Sequence, residues 1–488
     1  MYGFLEGQKT MSTKLYEISA TDLIDLYKSG QASPVEATRS VLERIEHLNA
    51  TYNAFCIIDE EKAFLDAKES EKRWQRGQPY GLIDGIPSTI KDLMLSKGWP
   101  TLKGSKTIDT KQDWTEDAPI VARMREQGAV FVGKTTTPEF GWKGVTDSPL
   151  TGSTKNPWDP RRTAGGSSGG AAVASALGMG HLNIGSDGGG SIRMPAGFCG
   201  IFGLKATFGL VPAYPQTVMG TLSHQGPMTR TVSDAARMLT VITKPDLRDW
   251  YAAPYREINY ENSLEGDITG IKIAFSPTLS YANVENSIAA KVQESVKIFE
   301  DLGAHITEVD PPITDPIEHM ITLWSVGLAT LVEGIPEQRR SLMDSPLLEL
   351  AESGRRVSAL ELRKAEQARE ELATTITLFL QNYDFLITPQ LALTAFEVGN
   401  EVPPNSGMKR WWEWSPFTYP FNLTQHPAAS VPCGFTREKL PVSLQIVGSR
   451  FDEPRLLNLC YAFEQEKPFK MPKNPEVGSN PKYENEAL

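Results

Sequence analysis

The sequence predicts an α/β fold, and two observations carry that prediction. Short β-branched runs such as Ile86–Leu95 and Val130–Gly133 are separated by amphipathic helical patterns. A helical pattern at Ala289–Leu302 also leads straight into the strand-like His305–Val309. Alternation of this kind is how chains that layer helices on a sheet are written.

Taken in order, residues 16–78 read as helices. Ser33-Pro34 offers an N-cap and a proline for the first turn, and Val35–Leu48 repeats apolar residues at three-to-four spacing. His181–Ile184 reads as a strand. Ser358-x-x-Glu361 is a capping box and predicts a long helix from Ser358 to Asn382. Asp384–Thr388 and Val442–Val447 read as buried strands. Pro468, Pro472, Pro475 and Pro481 lie among charges and mark an exposed tail. With no internal repeat and no linker, the chain reads as one large domain over residues 16–465. An N-terminal extension (1–15) and a C-terminal tail (466–488) flank it.

Composition removes several classes of function. The 488 residues carry a net charge of −11 with no long basic run, against the footprint of a nucleic-acid binder. No apolar stretch is long enough to span a membrane, and the N-terminus lacks the pattern of a signal peptide. The four cysteines, at 56, 199, 433 and 460, show no metal-ligand spacing and read as reduced thiols of a cytoplasmic protein.

Chemistry concentrates where glycine does: 14 of the 40 glycines lie between residues 165 and 209. Gly165-Gly166-Ser167-Ser168-Gly169-Gly170 enters a run of small residues suited to a helix start. It lacks the Gly-Lys-Ser/Thr ending of a phosphate loop. Its Gly-x-Ser-x-Gly spacing formally matches a nucleophile elbow, but Asn156–Arg162 cannot be the buried strand such an elbow follows. Gly185-Ser186-Asp187-Gly188-Gly189-Gly190-Ser191-Ile192-Arg193 does follow a strand-like run. Consecutive glycines there can converge several N–H groups on one oxyanion, with a serine directly behind them. A turn requiring positive φ, with Asp187 and Arg193 merely paired, explains the same residues. A serine nucleophile needs a base. His224 and His426 are two candidates, and Lys91, in an apolar strand-like stretch, is a third if burial keeps it neutral.

Three of these segments, Gly-Ile-Pro-x-x-x-Lys-Asp at 85–92 and the two glycine clusters, together resemble the amidase signature family of serine hydrolases. Gly133–Phe140, Gly203–Gly209 and Pro427–Pro432 add to the match, which covers about residues 16–465. The resemblance implies a large mixed β-sheet covered by helices on both faces. It implies Ser191 as nucleophile, Ser167 as a relay on a cis peptide, and Lys91 as the base. Gly188, Gly189 and Gly190 would form the oxyanion hole with the Ser191 N–H, and Ser168, Asp187 and Arg193 would support it. No metal and no organic cofactor is implied. The chain departs from the family pattern at Gly188, Ala206, Leu210 and Gln425-His426, none of which removes a catalytic group.

The region after the glycine clusters carries Met320, Trp324, Trp411, Trp412 and Trp414. These residues either wall a pocket for a small aryl or alkyl amide, anilide or carbamate, or cap the core or an oligomer contact. The sequence leaves two other functions open. One is a glutamine-hydrolysing subunit of a tRNA-dependent amidotransferase; the other is a non-catalytic ligand-binding protein on the same fold. The expected partners are a small amide and water, without nucleic acid or membrane, and a homodimer is left open.

Overall fold

The computed structural model describes residues 14–473. Most of the N-terminal extension and the tail prolines Pro475 and Pro481 therefore lie outside the described residues. Just before them, Phe469 packs against the main apolar core.

Eleven strands form one mixed sheet. In chain order they are β1 (Phe55–Ile58), β2 (Pro87–Lys91), β3 (Val130–Thr135), β4 (Leu182–Asp187), β5 (Phe202–Lys205) and β6 (His224–Thr229). The remaining strands are β7 (Lys272–Phe275), β8 (His305–Glu308), β9 (Phe385–Pro389), β10 (Ala428–Phe435) and β11 (Pro441–Gly448). Across the sheet they run β1-β3-β2-β4-β6-β5-β10-β11-β9-β7-β8. Strands β3, β2 and β4 are parallel neighbours, as are β9, β7 and β8; the centre is antiparallel.

Both faces of the sheet are covered, and the alternation of side chains along each strand shows it. Phe131 joins the core beneath the helices Ala20–Ser29, Val232–Ile242 and Glu453–Glu466. Its neighbours Val130 and Val132 point the other way, into a core shared with the helices Pro34–Tyr52 and Gly169–Ala176. The same division recurs at the far end. There Ile273 and Phe275 share a core with the helix Asn286–Asp301, while Ala274 faces Ile376 of the helix Ala359–Phe379. Burial on both faces explains why β2, β3 and β4 contain no exposed residue.

The capping residues act as expected. Ser33 and Ser358 each accept the N3 backbone N–H, and Glu36 and Glu361 reach back to close capping boxes. One reading needs correction. Residues 16–78 are not helical throughout, because Phe55-Cys56-Ile57-Ile58 forms edge strand β1 against β3. Asn53, at φ 53°, ends the preceding helix and Asp59 caps the next, leaving five residues between them, the last four of which form the strand. Among the described residues no helix is long and apolar enough to cross a membrane.

Candidate active site

Parallel pairing of β2 with β4 brings the carboxyl ends of the two strands together, with Ser88 opposite Leu182 and Thr89 opposite Asn183. Lys91 is the last residue of β2 and Asp187 the last of β4. The chain leaving β4 passes through Gly188–Ser191 into the helix Arg193–Cys199. Ser167 and Ser168 immediately precede the helix Gly169–Ala176. Two helix starts and two strand ends thus converge, in keeping with the preference of α/β sheets for sites at carboxyl strand ends.

Lys91 is fully buried, and its Nζ stands among three hydroxyls. Ser167 Oγ is 2.7 Å away, Ser168 Oγ 2.8 Å and Ser186 Oγ 2.9 Å. Burial pushes the Lys91 pKa well below that of a free lysine; the nearby Asp187 carboxylate opposes the shift without cancelling it. The Gly166–Ser167 peptide is cis, and the Ser168 N–H donates to the Ser191 carbonyl at 3.1 Å. That bond ties the two glycine clusters together. The Ser191 hydroxyl itself has no hydrogen bond to another described residue.

Asp187 organises the turn behind Ser191. Its carboxylate accepts the N–H groups of Gly190 at 2.7 Å and Ile192 at 3.2 Å, and pairs with the buried Arg193. Burial alone would raise the Asp187 pKa, but Arg193, Lys205 and Asn422 outweigh it and hold the carboxyl below the usual range. Arg193 in turn donates to the Thr418 carbonyl, Gln445 Oε1 and Asn422 Oδ1. The N–H groups of this turn are not equivalent. The Gly190 N–H is committed to Asp187, whereas those of Gly188, Gly189 and Ser191 make no hydrogen bond among the described residues. Gly190 instead serves the turn: its φ is 129°, and a Cβ there would lie 2.6 Å from Thr418 Oγ1.

Of the aromatic candidates, two meet the turn. A Cβ on Gly188 would stand 3.2 Å from Trp324 Cζ3, and one on Gly189 would stand 2.6 Å from Trp411 Cη2 and 2.8 Å from Met320 Cε. Trp324 and Trp411 pack edge to face, and Trp412 packs behind Trp411. Trp414 belongs to the same buried cluster but packs on other rings, stacked on Phe198 and edge-on to Phe396. Neither histidine candidate hydrogen-bonds a candidate serine among the described residues. His224 Nδ1 faces the Leu222 and Asp187 carbonyls, and burial lowers its pKa well below the usual value. His426 faces Thr377, with a pKa lowered by burial to about 3.

Reading the sequence residue by residue does not single out Ser186, Thr418, Asn422 or Gln445. Ser186 is in view between Gly185 and Asp187, but nothing in the sequence says which way it points. Gln445 comes from β11, 252 residues from Arg193, and its polarity within a buried strand is the only signal.

The carboxyl ends of β2 and β4 thus hold a fully buried lysine ringed by three serine hydroxyls, close to backbone N–H groups that make no hydrogen bond among the described residues. The chain belongs to the amidase family, whose model matches residues 36–457, and to its amidase signature enzymes, which hydrolyse carbon–nitrogen bonds. It is 36% identical over 465 residues to an acylamidase of Rhodococcus erythropolis, covering 93% of this chain and 96% of that protein. It is also 31% identical over 500 residues to a glutamyl-tRNA(Gln) amidotransferase subunit of Alkaliphilus metalliredigens, covering 95% and 100%. Among solved structures, a bacterial aryl acylamidase superposes with a TM-score of 0.86 at 26% identity, over 93% of this chain and 97% of that one.

Proposed function

We propose that the protein hydrolyses the amide bond of a small aryl or alkyl amide through Ser191, Ser167 and Lys91. The observation that carries this reading is the fully buried Lys91 Nζ, 2.7 Å from Ser167 Oγ. Neutral Lys91 takes the Ser167 proton as Ser167 takes that of Ser191, and the Ser191 oxygen attacks the amide carbonyl. The N–H groups of Gly188, Gly189 and Ser191 hold the oxyanion. The proton then returns through Ser167 to the departing nitrogen, which is a poor leaving group without it. Water releases the acyl group by the same route, and the residues need no metal or cofactor.

Trp324, Trp411 and Met320 beside Gly188 and Gly189 support an apolar substrate, as does the acylamidase relative. The amidotransferase relative favours a second reading, in which glutamine is the amide and partner subunits are needed. The four free thiols suit a cytoplasmic location.

The experiment is fluorophosphonate labelling followed by turnover of a panel of aryl amides, alkyl amides and glutamine. Labelling at Ser191 and cleavage of aryl or alkyl amides are expected, with Ser191→Ala slower by at least about ten-thousandfold. Undiminished turnover by Ser191→Ala, or by Lys91→Ala at neutral pH, refutes the mechanism. Ammonia release from glutamine alone selects the second reading.

A further inference from the structure

The three hydroxyls around Lys91 Nζ are not equivalent. Ser168 Oγ lies 3.1 Å from the Ser186 carbonyl oxygen and 3.2 Å from the Ser186 amide nitrogen. Its single proton belongs to that carbonyl, since any other orientation leaves two oxygens facing each other with no proton between them. The Ser168 lone pairs then take the Ser186 N–H and one Lys91 N–H, so Ser168 is a fixed acceptor for the amine. Ser167 Oγ and Ser186 Oγ differ from it: each has Lys91 as its sole hydrogen-bond partner among the described residues.

A neutral amine carries two N–H groups and one lone pair. With one N–H committed to Ser168, the other N–H and the lone pair are divided between Ser167 and Ser186. Only one division is useful, because Lys91 can accept the Ser167 proton only if its lone pair faces Ser167. Exposure favours that division. Ser186 is 8% exposed and can turn its own proton to water, whereas Ser167 is 2% exposed and has the amine before it.

We infer that Ser186 is a positioning residue: it accepts the second Lys91 N–H and so turns the amine lone pair onto the Ser167 hydroxyl. This inference rests on the reading of Lys91 as the base. Proton transfer keeps the arrangement matched. As the Ser191 oxygen bonds to the carbonyl carbon, its proton passes to Ser167 and the Ser167 proton to Lys91. The resulting ammonium has three N–H groups for three waiting oxygens, and nothing needs to rotate. When the C–N bond breaks, the same proton returns through Ser167 to the leaving nitrogen.

The test compares Ser186→Ala and Ser186→Thr with wild type, using the full chain and the best amide from the panel. Ser186→Ala is expected to lower kcat about ten- to hundredfold with KM little changed, and to slow fluorophosphonate labelling of Ser191 by the same factor. Its acid limb moves to lower pH, because the ammonium has lost one of its three acceptors. Ser186→Thr, which keeps the hydroxyl, restores most of kcat. If Ser186→Ala does not fold, Ser186→Cys, a weak acceptor, is read for the same shifts. Unchanged kcat and acid limb in Ser186→Ala overturn the inference, as does a well-folded Ser186→Thr that recovers nothing. Full activity of Lys91→Met at neutral pH is a different result, because it overturns the reading on which the inference rests.

Discussion

Asp187 and Arg193 meet side on, Nε to Oδ2 at 2.9 Å and Nη2 to Oδ1 at 3.0 Å, with both side chains fully buried. The pair clasps the turn that carries Ser191. It also reaches across the molecule, since Arg193 bonds Thr418, Asn422 and Gln445 as well.

Removing one partner should therefore hurt more than an ordinary core substitution. Arg193→Met leaves the Asp187 carboxylate buried without its counter-charge, and a loss of about 3–5 kcal/mol is expected. Chemical denaturation of the two proteins checks it. A variant as stable as wild type would mean that the carboxylate is solvated or otherwise paired.

Lys91 makes a linked prediction about rate and stability. Its folded pKa is depressed while the unfolded chain retains ~10.4. Above ~10.4 both states are neutral and burial carries no penalty; the penalty grows as pH falls toward the folded pKa and is constant below it. Activity should rise with pH through that folded pKa and then level off. Relative to Lys91→Met, wild type should gain stability as pH is raised from the folded pKa toward ~10. Parallel pH–rate and denaturation series test both, and a flat stability difference would contradict the buried neutral amine.

Gly189 tests the oxyanion turn. A methyl there would collide with Trp411 Cη2 at 2.6 Å, and that indole is buried. Gly189→Ala should lower kcat/KM by about a hundred- to a thousandfold, as loss of an oxyanion donor does. Adding Trp411→Ala should recover part of that loss. A Gly189→Ala enzyme with full activity would place the oxyanion elsewhere.

The fold is legible where local chemistry decides it. Capping pairs such as Ser33–Glu36 are written within one helical turn, and the buried strands within a few residues of each other. The edge strand at Phe55–Ile58 escapes sequence reading because it is too short to interrupt a helical pattern. Lys91, Ser167 and Ser191 are visible through their motifs. What separates Gly190 from Gly188 and Gly189 is not, because the three are chemically identical in sequence and only the Asp187 carboxylate distinguishes them. Trp412 and Trp414 are likewise beyond reach: neighbouring rings on one short segment face different partners, and only packing assigns each.

The pairing of β2 with β4 has a consequence for the life of the chain before it is finished. Lys91 and Ser186 lie 95 residues apart in sequence, so the ribosome releases the lysine long before the serines exist beside it. Until the two strands dock, Lys91 sits in water, keeps its proton and can serve no serine. On the proposed mechanism, closing the sheet is itself the step that arms the base.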